Sequence, residues 1–206
     1  MKRINISKLK NEQLKLAKKV ITEDKIKKIK TIAGCDQAFF NNKIISAIIV
    51  FDYKKLSIIE KKYTISKIDF PYITSYLSYR EVPAIIKTYK KLKNKPDIML
   101  CDFNGILHPR RIGAASHLGV LLGIVTIGVA KSLLLGKIKN NKVYVNKEQR
   151  GYVIKNKKYK EIYVSPGNNI SLKTSIRIVK KLIKNRLPEP IRLSHQYANE
   201  IKRKLK

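Results

Sequence analysis

Between Thr31 and Ile65 three apolar, β-branched runs follow one another with almost nothing between them: Thr31–Phe40, Ile44–Tyr53 and Leu56–Ile65. Asn41-Asn42 supplies the first turn and Tyr53-Lys54-Lys55 the second. Turns this short can only reverse the chain, because a parallel crossover needs a dozen residues or more. The segment therefore reads as an antiparallel meander, which restricts the chain to folds that contain one. A short run, Ile98–Cys101, stands apart from it, and its unbroken hydrophobicity is that of a strand covered on both faces.

The remaining pattern is mostly helical. Ile6, Leu9, Leu14, Leu16, Ala17, Val20 and Ile21 recur among lysines, which predicts an amphipathic helix over about 6–28. Ser66–Thr74, with Pro71, reads as loop, and Ser75 or Ser78 is placed to cap a helix to about Leu92, with Pro83 near its start. A short helix is expected over Gly113–Gly123, a second buried strand over Ile124–Gly128, and short strands over 142–164 around Gly151. Ser171 is placed to cap a helix through about Asn185, and a basic helix, Ile191–Lys206, follows Pro188-Glu189-Pro190. Neither a repeat nor a linker divides the sequence, so one domain over 1–206 is expected. A three-stranded meander followed by helix, strand, helix and strand is the order of the ribonuclease H-like fold, an α/β architecture with a central mixed sheet flanked by helices. In that fold the first and fourth strands are neighbours, which would bring Asp36 and Asp102 together.

Charge narrows the partner. Lysine and arginine number 46 against 14 acidic residues, a formal charge of +32, which points to a polyanion, above all nucleic acid. Abundant Lys, Ile and Asn, as an AT-biased genome produces, accounts for part of that basicity. With 44% hydrophobic residues in patterned runs, a basic disordered tail is excluded. The longest uncharged apolar stretch, Leu118 to Ala130, is broken by three glycines and falls short of the roughly 20 residues of a spanning helix. No secretory leader is recognisable, so a cytoplasmic, non-membrane protein is expected. Charge of one sign also disfavours self-association, and a monomer is expected.

Among so few carboxylates, Asp36 and Asp102 stand out, because they are the two that sit on apolar strands, Asp36 within Thr31–Phe40 and Asp102 at the end of Ile98–Cys101. A carboxylate at the end of a buried strand is costly unless compensated, and a bound cation is the usual compensation. Oxygen donors suit Mg²⁺, with Mn²⁺ as a substitute, rather than zinc. His108, Arg110 and Arg111 follow Asp102 closely, as they would if a phosphate were brought to that metal. Cys35 and Cys101 directly precede the aspartates, so strand alternation turns both thiols away from the carboxylates. They read as small buried residues, not as a disulfide. Gly123 to Ser132 lacks the Gly-Lys pair of a nucleotide triphosphate loop. His117, on an apolar helix, reads as packing, and His195, in the basic tail, is a weaker site candidate.

Five stretches in order resemble the endonuclease V family of deoxyinosine 3′-endonucleases. They are Ala33–Asp36, Pro71–Glu81, Asp102–Arg111, Gly113–Val120 and Thr126–Ser132, followed by Val164–Gly167 and Ile170–Leu172. The resemblance covers about residues 30–185. It implies that Glu81 joins Asp36 and Asp102 as a third metal carboxylate, and that His108 and Lys131 assist at the scissile phosphate. Pro71, Tyr72, Ile73 and Thr74 resemble the family's wedge, which would enter a base step and help to unstack a nucleotide. Ser75, Leu77, Phe103 and Gly105 fall where a lesion pocket is expected, and Arg110 and Arg111 where phosphates would be contacted. Phe103 and Ser75 stand where the family usually has glycine, Thr74 where it has proline, and Asn168 and Lys173 where it has histidine and glutamate. The implied activity is Mg²⁺-dependent nicking at the second phosphodiester bond 3′ to deoxyinosine in DNA, leaving 3′-hydroxyl and 5′-phosphate ends. An inosine-specific endoribonuclease on the same scaffold and a non-catalytic nucleic-acid-binding protein are the alternatives.

Overall fold

A computed structural model describes residues 4–155 and 158–205. Helix α1, Ile6–Ala17, is capped by Asn5, whose side chain accepts from the Lys8 amide at 2.9 Å. It stops well short of residue 28, although the apolar pattern continues. Tertiary bonds compete for the backbone there: the Ile21 amide donates to Asn168 Oδ1 at 3.1 Å and the Lys25 amide to the Asn169 carbonyl at 3.1 Å. Asp24 in turn accepts from the Ser171 amide and from the Ser171 and Thr174 hydroxyls.

The meander comprises β1 (Thr31–Phe40), β2 (Lys43–Asp52) and β3 (Ile58–Lys67). Asn41 turns the first hairpin with φ of 50°, a left-handed conformation that asparagine tolerates. The second turn is tied by Asp52, which accepts from the amides of Lys54 and Lys55, and Leu56 sits in it at φ 55°, so β3 begins two residues later than its apolar run. Helix α2, Leu77–Lys90, follows and carries Pro83 in its second turn. Neither Ser75 nor Ser78 caps it; the N-cap position is Tyr76, without a side-chain bond. Next come β4 (Ile98–Cys101), α3 (Ala114–Leu122, flanked by Gly113 and Gly123) and β5 (Val125–Ala130). Four further strands, β6 (Lys137–Lys139), β7 (Lys142–Val145), β8 (Glu148–Ile154) and β9 (Ile162–Asn168), precede α4 (Leu172–Leu182) and α5 (Glu189–Arg203). Ser171 caps α4 as expected, accepting from the Thr174 amide at 3.1 Å. The helix ends at Leu182 because Ile183 turns extended and bridges to Pro188. Lys206, the expected end of α5, lies outside the described residues.

All nine strands form one sheet in the order β3-β2-β1-β4-β5-β9-β8-β7-β6. Only β1–β4 and β4–β5 are parallel, so the sheet is mixed, with the ribonuclease H-like order at its centre. Strand alternation divides the core into two layers. Ile32, Ile98 and Leu100 pack with Ile178, Leu182 and Ile191 of α4 and α5, whereas Ala33, Cys35, Met99 and Cys101 pack with Val82, Ile85 and Leu118 of α2 and α3. The thiols thus lie in the second layer, free and buried.

Helix α5 lies unusually close to β1. A Cβ on Gly34 would stand 2.1 Å from the Pro190 carbonyl oxygen, and Ser194 Oγ donates to the Gly34 carbonyl at 2.8 Å. All three of the nearest atoms to that missing Cβ, in Pro190 and Ile191, are backbone, so relief requires moving the helix. Gly34→Ala is expected to destabilise the fold by about 1–3 kcal/mol, the range for overpacking, in urea denaturation. A change within about 0.5 kcal/mol, the range of neutral surface substitutions, would refute this tight apposition. No described helix is long and apolar enough to cross a membrane.

Candidate active site

Cys35 and Cys101 are level in the parallel β1–β4 pair, so Asp36, midway along β1, and Asp102, just past the end of β4, stand on neighbouring strands at the same level. Both carboxylates are largely buried, and each meets one cation. His195 Nδ1 lies 2.5 Å from Asp36 Oδ2, and Lys131 Nζ pairs with Asp102 Oδ2. Burial holds the Asp102 carboxyl above the usual carboxylate range, with Lys131 pulling it back. The hydrogen bond to Asp36 raises the His195 imidazole, favouring the charged ring.

Glu81 enters from α2. Sequence allows it a bland role as an exposed partner of Arg80, but it is only 7% exposed. Arg80 instead donates to the Phe70 carbonyl at 2.7 Å and lies over the Phe39 ring. Glu81 makes no hydrogen bond or ion pair among the described residues, and burial, opposed by Arg80 and aided by Asp36 and Asp102, pushes its carboxyl up to about 7. The three carboxylates line one cavity of about 470 Å³, together with Lys131 and His108.

No group of three His, Cys, Asp or Glu side chains among the described residues is arranged as it stands to hold a metal ion. The donors nevertheless fit a hard divalent cation. They are oxygen ligands, two on adjacent strands, and the third is a buried carboxylate with no partner among the described residues, an arrangement that added positive charge would relieve.

Around this centre the expected site residues separate. Tyr72 stands 70% exposed at the cavity rim, and Thr74, Ser75, Leu77 and Phe103 line the wall. Pro71 and Ile73 share the loop but lie outside that wall. Gly105 also lies outside it: its amide donates to Ser165 Oγ at 2.8 Å, and a Cβ there would come within 1.9 Å of the Pro166 carbonyl oxygen. It is a close-packing glycine, not part of the pocket surface. His108 is buried, with Nδ1 accepting from the Arg110 amide at 3.3 Å and Nε2 donating to the Ser75 carbonyl at 3.0 Å. Burial lowers its imidazole to about 4, keeping the ring neutral. The two arginines are engaged rather than free for phosphate. Arg110 binds Ser75 and Gln13 and lies over Tyr76, while Arg111 pairs with Glu148 at 2.9 Å. His117 packs edge-on against Tyr79, as expected for a core residue.

His195 was weakly marked in the sequence because it is distant from the other motifs and sits in a basic tail. The signal available was Gly34, since an isolated strand glycine announces the close approach of another backbone. Asn168 likewise gains an explanation: its Nδ2 donates to the Gly119 carbonyl at 3.2 Å while Oδ1 accepts from Ile21, tying the segment after α1 to the core. Nothing in the structure explains Lys173.

The family model described as endonuclease V matches residues 14–196. Endonuclease V of Dictyoglomus thermophilum is 40% identical, with 91% of this chain and 87% of that protein covered. Endonuclease V of Rippkaea orientalis is 44% identical, with 95% and 90% covered. A crystal structure of Ciona intestinalis endonuclease V, in complex with DNA containing an inosine followed by a ribo-adenosine, superposes with a TM-score of 0.89 at 30% identity, covering 98% of this chain and 99% of that one. With these relatives and three carboxylates in one cavity, the chain belongs to the endonuclease V family of nucleases.

Proposed function

We propose that the protein is a divalent-metal-dependent endonuclease that recognises deoxyinosine in DNA and hydrolyses the second phosphodiester bond on its 3′ side, leaving 3′-hydroxyl and 5′-phosphate ends. The observation that carries the reading is the placement of Asp36, Asp102 and unpartnered Glu81 in a cavity whose rim bears the exposed Tyr72. The Ciona relative's complex with inosine-containing DNA supports the substrate class.

Asp36, Asp102 and Glu81 would hold the cation, Mg²⁺ or Mn²⁺, which when bound supplies Lewis-acid stabilisation to the phosphoryl group. The other steps belong to the chain. Lys131, pairing with Asp102, provides an ammonium at the place where phosphate charge builds up. His195 holds Asp36 in one orientation through Nδ1. Tyr72 enters the space left by an extruded nucleotide, and the wall formed by Ser75, Leu77 and Phe103 receives the base. Hypoxanthine presents an N1–H donor and an O6 acceptor where adenine presents an acceptor and an amino group, so a few aligned polar groups suffice to discriminate.

A labelled duplex carrying one deoxyinosine tests the reading. One product, cut a nucleotide beyond the lesion, is expected with Mg²⁺ and none with EDTA. Cutting of a riboinosine strand but not the deoxyinosine strand would replace this proposal with the endoribonuclease, and binding without cutting in any metal would replace it with a non-catalytic protein.

A further inference from the structure

Ser75 joins the loop bearing Tyr72 to α2, the helix bearing Glu81, and its backbone is held at φ 65°, where a side chain is unfavourable. Such a conformation persists only where its surroundings over-determine it. Here one carbonyl oxygen, that of Ser75, accepts from Gln13 Nε2 at 3.1 Å, His108 Nε2 at 3.0 Å and an Arg110 terminal nitrogen at 2.9 Å. The same Arg110 nitrogen donates to Ser75 Oγ at 2.8 Å, and Arg110 Nε donates to Gln13 Oε1 at 2.5 Å. Gln13 is completely buried, the one buried residue of α1, and both ends of its amide are used. It has no place in the cavity wall. A second bond, from Tyr79 Oη to the Leu9 carbonyl at 3.0 Å, fastens α1 to α2.

We infer that Gln13 is a positioning residue for the Tyr72 loop, acting through Ser75. A glutamine is suited to the place because its side-chain amide both donates and accepts, so it holds the Arg110 guanidinium and the Ser75 carbonyl in fixed relation. Helix α1 thereby sets the angle at which Tyr72 meets a base step, without touching nucleic acid itself. The inference rests on the proposed nicking of deoxyinosine DNA. A duplex requires separation and unstacking around the lesion, whereas a single strand does not, so a loosened wedge penalises the duplex selectively.

The test compares Gln13→Leu with the unaltered protein on the same deoxyinosine strand, single and paired. Duplex kcat/KM is expected to fall about tenfold, within the range for a displaced positioning contact, with the single-strand value within about twofold. In a Tyr72→Ala background Gln13→Leu should cause no further duplex loss, because the two act through one device. Equal losses on both strands, or additive losses with Tyr72→Ala, overturn the inference. Gln13→Glu retains the acceptor for Arg110 but removes the donor to Ser75, and it serves if the leucine variant does not fold. Amide hydrogen exchange supplies an arm independent of activity: protection over residues 71–76 should fall in the variant while β1 is unchanged. Unaltered protection refutes the inference, whereas an unaltered protein that cuts no deoxyinosine strand refutes the proposed function instead.

Discussion

Asp36→Ala and Asp102→Ala are each expected to lower nicking by at least about 100-fold, since the site loses a carboxylate needed to place several kcal/mol of charge stabilisation at the phosphate. Binding of the deoxyinosine duplex should persist, because affinity for the backbone arises from a chain with a formal charge of +32 rather than from two acidic groups. Stability should also persist or rise for Asp102→Ala, as burial already opposes ionisation there. The decisive comparison is single-turnover cutting against affinity at one salt concentration. Residual cutting above a few per cent, with binding retained, would show that these two aspartates do not carry the chemistry. Lys131→Met should lose activity without losing the carboxylates, and it separates charge at the phosphate from metal placement.

Acid should weaken the fold through two buried histidines. Burial lowers both His108 and His117 to about 4, against about 6.5 for an unfolded histidine. Arg110 and Arg150 add to the effect at His108, whereas burial alone acts at His117. Between those values the unfolded chain binds more protons than the folded one, so stability rises with pH across this window. It is fully present above about 6.5 and lost as pH falls towards 4, by roughly 2–3 kcal/mol per histidine at pH 4.5. In metal-free protein Glu81, raised to about 7, acts with the opposite sign. A variant comparison removes that contribution. His117 Nδ1 has no hydrogen-bond partner among the described residues, so His117→Leu breaks no bond seen at that atom, and the difference in stability between pH 7.5 and 4.5 should shrink by that roughly 2–3 kcal/mol. An unchanged difference in urea denaturation would show that His117 does not stay neutral in the fold.

Much of this architecture was legible because local signals agreed with the global fold. The β1–β2 turn at Asn41, the buried run of β4, and the Ser171 cap of α4 were read correctly for local reasons: turn chemistry, hydrophobic continuity and a serine followed by a helical pattern. Legibility ended where distant groups compete for the backbone. The helical pattern after Ala17 continues in the sequence, but Asn168 and Asn169 capture amides that a helix would need. Ser75 lines the cavity as expected but caps no helix, because it is a left-handed junction held by α1 and by the His108–Arg110 loop.

The sequence by itself determined that Asp36 and Asp102 would be neighbours, because a known strand order sets β1 beside β4 whatever the detail of packing. It also determined which side chains of a strand share a face, since alternation depends only on position. Tertiary structure alone decided what the charged groups do once there. It brought His195 to Asp36 across 159 positions, left Glu81 buried without a partner, and turned Arg110 and Arg111 towards Ser75 and Glu148. Hydrogen bonds and ion pairs form between whatever groups packing brings within about 3 Å, and that proximity has no local signature in the chain.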